Sequence, residues 1–162
     1  MPFSRAKHAA LLLALLATAA ADPTLNSVSD RAQGWRPDTI PWQTMGANGT
    51  RYALLEGHRE APGQPFTYAF AIPAGVWDAP HRHSTTARVF VASGVLRFGY
   101  GETPDHERAI CYPAGSIVVV PGGAVHFDGA DVDTVIIGVA SGPWSTSYLG
   151  AGTPASAGTP IR

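Results

Sequence analysis

Large apolar residues alternate with small or polar ones between Phe66 and Ile72: Phe66, Tyr68, Phe70 and Ile72 are separated by Thr67, Ala69 and Ala71. A period of two puts the large row on one face of an extended chain, which predicts a strand. Further strands are predicted at Tyr52–Glu56, Val89–Ser93, Val95–Tyr100, Ala109–Tyr112, Ile117–Val120, Val125–Asp128 and Thr134–Ala140. Their flanks carry the Gly and Pro that turns require. The run Ile117-Val118-Val119-Val120 has no alternation and predicts a strand covered on both faces. Short strands separated by turn signals, without internal repeats or helix–strand alternation, predict an all-β sandwich or barrel. With 18 Gly and 14 Pro, long helices have little room.

The two ends of the chain lie outside this pattern. Arg5 and Lys7 precede an apolar run from Ala9 to Ala21, broken only by Thr18, and Ala19-Ala20-Ala21 offers a cleavage site before Asp22-Pro23. That is the form of an export signal. The run is 13 residues long, whereas a bilayer span needs ~20. The expected division is a signal peptide over 1–21, an arm or linker over 22–41, one domain over 42–149 and a mobile tail over 150–162. The expected location is periplasmic or extracellular, with no membrane contact after cleavage.

From Asp22 onward the chain has nine Arg, no Lys, eight Asp and four Glu, for a net charge of −3. This mild acidity gives no footprint for nucleic acid or an anionic membrane. The absence of lysine excludes Schiff-base chemistry through that residue. A single cysteine, Cys111, excludes an internal disulfide, and its β context predicts a small buried hydrophobe.

The chemistry gathers on histidines. His81 and His83 are spaced i, i+2, so on an extended chain both imidazoles face the same way. Pro80 favours that extended conformation. His126 follows a Pro121-Gly122-Gly123 turn at the start of another strand. Three imidazoles suit Zn, Fe, Ni or Cu and leave positions open for water or substrate.

The surrounding residues carry a family resemblance. Gly75, His81, His83 and Gly94 match the first cupin motif, G-x5-H-x-H-x3-4-E-x6-G, and Gly115, Pro121, Gly123 and His126 match the second, G-x5-P-x-G-x2-H-x3-N. The segments Leu54-Leu55-Glu56-Gly57, Pro62-Gly63, Pro65-Phe66-Thr67-Tyr68 and Gly142-Pro143-Trp144 also resemble small exported single-domain cupins. The resemblance covers Trp42 to Tyr148. It implies a cupin jelly-roll barrel, a divalent metal (Fe, Zn, Ni, Cu or Mn) on His81, His83 and His126, a small-molecule ligand or substrate, and a homodimer as one assembly open to the chain.

Two positions depart from the motifs. The Glu ligand falls on Ala87 and the terminal Asn on Ala130. Arg88 is no substitute for the Glu, since strand parity turns it away and a guanidinium cannot ligate a cation. Losing a carboxylate should weaken hard ions such as Mn most. Two functions stay open: a metal-dependent enzyme, dioxygenase-like with iron, and a non-catalytic binding or sensing module, with or without metal.

Other residues have handles of their own. Tyr68, Phe70, Phe98 and Tyr148 are candidates to line a substrate site, and Arg97, outward by default, would bind a substrate carboxylate if it faced inward. Phe66 and Tyr100 are further aromatics open to the barrel interior. Asp128 shares the face of His126 on a regular strand. It is read as a turn carboxylate before Gly129, with a partner that supports the ligands or a general base as the alternatives. His58 and His106 read as solvated loop residues.

Overall fold

The computed structural model describes residues 32–150. The expected signal peptide, most of the arm and nearly all of the tail lie outside them. The chain divides after Gly34, and every described strand belongs to the unit that begins at Trp35. Eleven strands form it: β1 (Gln43–Thr44), β2 (Arg51–Glu56), β3 (Pro65–Ile72), β4 (Trp77–His83), β5 (Ala87–Ser93), β6 (Val95–Tyr100), β7 (Ile110–Pro113), β8 (Ile117–Val120), β9 (His126–Gly129), β10 (Thr134–Ser141) and β11 (Thr146–Tyr148). No helix occurs among the described residues.

The strands build two antiparallel sheets. One has the order β1-β2-β3-β10-β5-β8 and the other β11-β4-β9-β6-β7. Alternate residues of each sheet turn inward. Val89, Val91, Val118, Val120 and Ile136 from the first sheet meet Leu96 and Phe98 from the second in one buried cluster. A second cluster joins Tyr52, Phe66, Tyr68 and Ala140, and Phe70 and Trp144 pack against both. A Cβ on Gly138 would lie 2.1 Å from the Tyr68 ring, so the missing side chain there lets the ring lie flat on β10.

The four motif glycines Gly75, Gly94, Gly115 and Gly123 all sit at turns with φ between 75 and 89°. At Gly94, between β5 and β6, space is closed as well, since a Cβ would fall 2.4 Å from the Asp133 carbonyl oxygen.

The eight strands predicted from apolar pattern and turn signals are all present, with ends moved by two residues or fewer. Three more were not predicted: β1, β4 and β11. β8 corrects the expectation of a strand covered on both faces. It is the last strand of its sheet, paired only with β5, and Ile117 and Val119 are 57% and 53% exposed. Cys111 is a second correction, because it is exposed. Its neighbour Tyr112 packs on the core cluster, and strand parity then sends Cys111 outward. Tyr100, at the end of β6, is likewise exposed rather than interior.

Candidate metal centre

β4 and β9 are neighbours, and their register sets His81 directly opposite His126. Further along the same ladder, Asp128 stands opposite Asp78. Three positions separate Asp78 from His81 on β4, but only two separate His126 from Asp128 on β9. The extra residue is a β-bulge at Ala79-Pro80. It restores parity, so that Asp78, His81 and His83 all turn to the face that carries His126 and Asp128. Pro80 suits a bulge because it has no N–H to give to a ladder. On the other side of β4, β11 sets Thr146 opposite His83 and Tyr148 opposite His81.

The three imidazoles meet. One ring nitrogen from each of His81, His83 and His126 lies within 4.8 Å of the others. His81 and His126 are each 2% exposed, and His83 is half-buried. His81 Nδ1 donates to the Ala79 carbonyl at 2.7 Å, and His126 Nδ1 donates to the Ala124 carbonyl at 3.0 Å. A carbonyl only accepts, so both protons sit on Nδ1 and both Nε2 lone pairs remain free. His83 Nδ1 lies 3.1 Å from Thr146 Oγ1. Aromatic neighbours fix the ring planes: Phe98 stacks on His126 at 5.0 Å and 17°, and Trp144 on His83 at 4.3 Å and 29°. A divalent metal fits this donor set, because the tautomers are already those a ligand needs.

Electrostatics favour the neutral form of His83 and His126. Burial, then the neighbouring His81 and His126, push the His83 pKa down to about 3. Burial and His81 lower that of His126 as well. Asp128 is pushed up to about 7 by burial and by Asp78. The His83 shift has a sign that can be checked. Below the ordinary histidine pKa of 6.5 the unfolded chain takes up a proton at this position and the folded chain does not. His83 therefore costs stability as pH falls from 6.5 toward 3. With metal removed by chelator, the stability of the parent relative to His83→Gln should fall by on the order of 1–2 kcal/mol between pH 7.5 and pH 5. Urea unfolding of both proteins at the two pH values measures it, and a constant difference would refute the shift.

Residues 31–145 match the family of the ChrR cupin-like domain. The chain belongs to that family. Solved structures agree on the fold of this ChrR-like cupin. An acetylacetone dioxygenase from Acinetobacter johnsonii superposes with a TM-score of 0.56 at 19% identity, covering 89% of this chain and 83% of that one. A cupin-like protein from Thermotoga maritima gives 0.53 at 19% identity, covering 79% and 92%. The anti-sigma ChrR of Rhodobacter sphaeroides, solved in complex with SigE, gives 0.52 at 21% identity, covering 65% of this chain. The chain spans about half the length of that ChrR chain, 51%. No curated protein matches the sequence.

The remaining candidates of this ChrR-like cupin fall into different places. Phe98 is stacked on His126, as above. Tyr148 lies 5.3 Å from the His81 ring, and its hydroxyl donates to Asp78 Oδ2 at 3.0 Å. Tyr68 is buried, and its pKa is raised first by burial and then by the charge of Asp128. Phe70 packs between Tyr52 and Tyr68 at 5.2 and 5.6 Å, as part of the core. Arg97 takes the outward default rather than the inward, carboxylate-binding place. Leu96 and Phe98 on either side of it are buried, so parity turns it outward, where it pairs with Asp131 and lies over Trp77 at 5.7 Å. His106 is exposed, as expected of a loop histidine, but its ring stacks on Trp77 at 3.8 Å. Asp128 is a correction of another kind. It is no turn residue: Gly129 continues β9, and a Cβ there would lie 2.5 Å from the Trp77 indole. Asp78, Trp144 and Thr146 were not singled out from the sequence. The one available signal was their spacing around the histidines, and it depends on the bulge and on β11.

Two spaces adjoin the histidines. A cavity of about 30 Å³ lies between the sheets, lined by His126, Asp128, Phe98 and aliphatic residues including Val89, Val120 and Ile136. A groove of about 410 Å³ lies on the His83 side, lined by Arg82, Ser84, Gly122, Ser145 and Ser147.

Proposed function

We propose that this chain holds one divalent transition metal through His81, His83 and His126 and uses it, in a dioxygenase-like way, on a small oxygen-bearing molecule. The observation that carries the reading is the set of imidazoles whose Nδ1 protons are committed to carbonyls at His81 and His126, leaving nitrogen lone pairs convergent. When bound, Fe, Zn, Ni, Cu or Mn would supply a Lewis acid, and iron would also supply a one-electron couple through which O2 reacts, the organic substrate being the net reductant. The protein supplies the rest. Phe98 and Trp144 hold ring planes. The cavity of about 30 Å³ beside His126 has room for a molecule of one or two heavy atoms. The groove along His83 suits a larger polar partner, with Arg82, Ser145 and Ser147 as donors toward its oxygens. The relative named for acetylacetone chemistry makes small diketones the first compounds to try.

The test begins with the metal content of tag-free protein. Near one equivalent, lost in His81→Ala, supports the site. Oxygen uptake by iron-loaded protein with acetylacetone or a related diketone then supports the enzyme. A second reading, a sensing module, draws support from the anti-sigma ChrR among the similar structures and from the small size, about 30 Å³, of the cavity beside His126. A small molecule that copurifies unchanged, with no oxygen uptake, would favour it. We also read residues 1–21 as an export signal, so that protein recovered outside the cytoplasm should begin at Asp22.

A further inference from the structure

We propose that Asp128 is a fourth metal ligand, supplying from β9 the carboxylate that Ala87 cannot supply from β5. This rests on the three-histidine reading above and adds to it. Asp128 Oδ2 lies 3.8 Å from His81 Nε2 and 4.0 Å from His126 Nε2. These are the nitrogens that the carbonyl clamps leave unprotonated. Both distances fall inside the 4.8 Å spread of the imidazole nitrogens themselves. Ligand atoms bonded at about 2.0–2.2 Å to one ion stand roughly 3–3.5 Å apart, so the carboxylate needs to close by about 0.3–1 Å on these two nitrogens, less than the most widely spaced imidazole nitrogens must.

The surroundings of Asp128 point the same way. Its side chain is 19% exposed, and no protein N–H or O–H among the described residues donates a hydrogen bond to it. A carboxylate so placed calls for a cation. Asp78, by contrast, is already engaged: Oδ2 accepts from Tyr148 and Oδ1 from the Ala79 N–H. Ala87 is 1% exposed and belongs to the apolar cluster, so the corner where the motif places its Glu is filled by hydrocarbon. Asp128 thus restores the ligand type and one negative charge from a different strand.

The experiment compares Mn(II) and Zn(II) affinity, by competition with a chelator, for the parent, Asp128→Asn and Asp128→Asn/Ala87→Glu. Asp128→Asn should lose at least about tenfold in Mn affinity and clearly less in Zn affinity, since Mn depends most on oxygen ligands. The added Glu should return most of the Mn affinity. Chelator-treated parent and Asp128→Asn should unfold at the same denaturant concentration, which excludes a fold defect. Asp128→Ser serves the same comparison if the Asn variant does not fold. Equal Mn affinity in the parent and the Asp128 variants overturns the fourth ligand and leaves the three-histidine site standing. A parent that binds neither ion overturns both.

Discussion

Replacing His126 with alanine should abolish metal-dependent stabilisation. His126 touches both other imidazoles, at ring separations of 4.2 Å to His81 and 5.0 Å to His83. Without it both remaining imidazoles come from one strand, β4, and β9 offers the ion no nitrogen, only the Asp128 carboxylate. An ion at ~1,000 times its Kd stabilises the native state by about 4 kcal/mol, which for a domain of this size is a rise in Tm of roughly 10–20 °C. The parent should show that rise when Zn or Ni replaces chelator, and His126→Ala should not. The variant also leaves a small void against Phe98, so its metal-free Tm should fall by itself. The informative quantity is the metal-dependent increment within each protein. An increment in His126→Ala as large as in the parent would sink the site.

Ala87→Glu should exchange stability for affinity. Ala87 lies opposite Val120 and is buried among apolar side chains. A carboxyl there must either find the ion or stay in hydrocarbon. In chelator the variant should lose about 2–4 kcal/mol, the combined cost of overpacking and of burying an unpaired polar group. Mn should restore most of it, and Mn affinity should exceed that of the parent. The gain should be greater in the Asp128→Asn background, where the introduced glutamate would be the sole carboxylate on the ion. Denaturant unfolding with and without Mn measures both effects. A midpoint that does not respond to Mn would mean that position 87 does not face the imidazoles.

What could be read from the sequence follows physical lines. Strands whose inward side chains are apolar announced themselves by alternation or by a short apolar run between turn signals, and eight did. β4 did not, because its inward side chains are Asp78, His81 and His83 rather than aliphatic, and because the bulge breaks the period of two. The strand that carries most of the chemistry was therefore the one that pattern could not see. Its histidines were found through motif spacing alone. The misreading of Ile117–Val120 has another cause. A run of β-branched residues shows that a strand forms but not whether a neighbour lies beyond it. Asp128 was hidden by Gly129, which resembles a turn residue but serves to admit the Trp77 ring.

The bulge at Ala79-Pro80 absorbs one residue without loss of parity, and the rest of β4 has no such slack. Loss of the single residue between His81 and His83 would leave every ligand in the sequence, yet it would turn the two imidazoles to opposite faces. The loop between β6 and β7, with residues such as Glu102 and Glu107 exposed, has no such phase to keep. When relatives of this chain are compared, a gap in the first place and a gap in the second should not be weighed alike. The first separates proteins that share three histidines but not the face on which they converge, and the second records only a different surface.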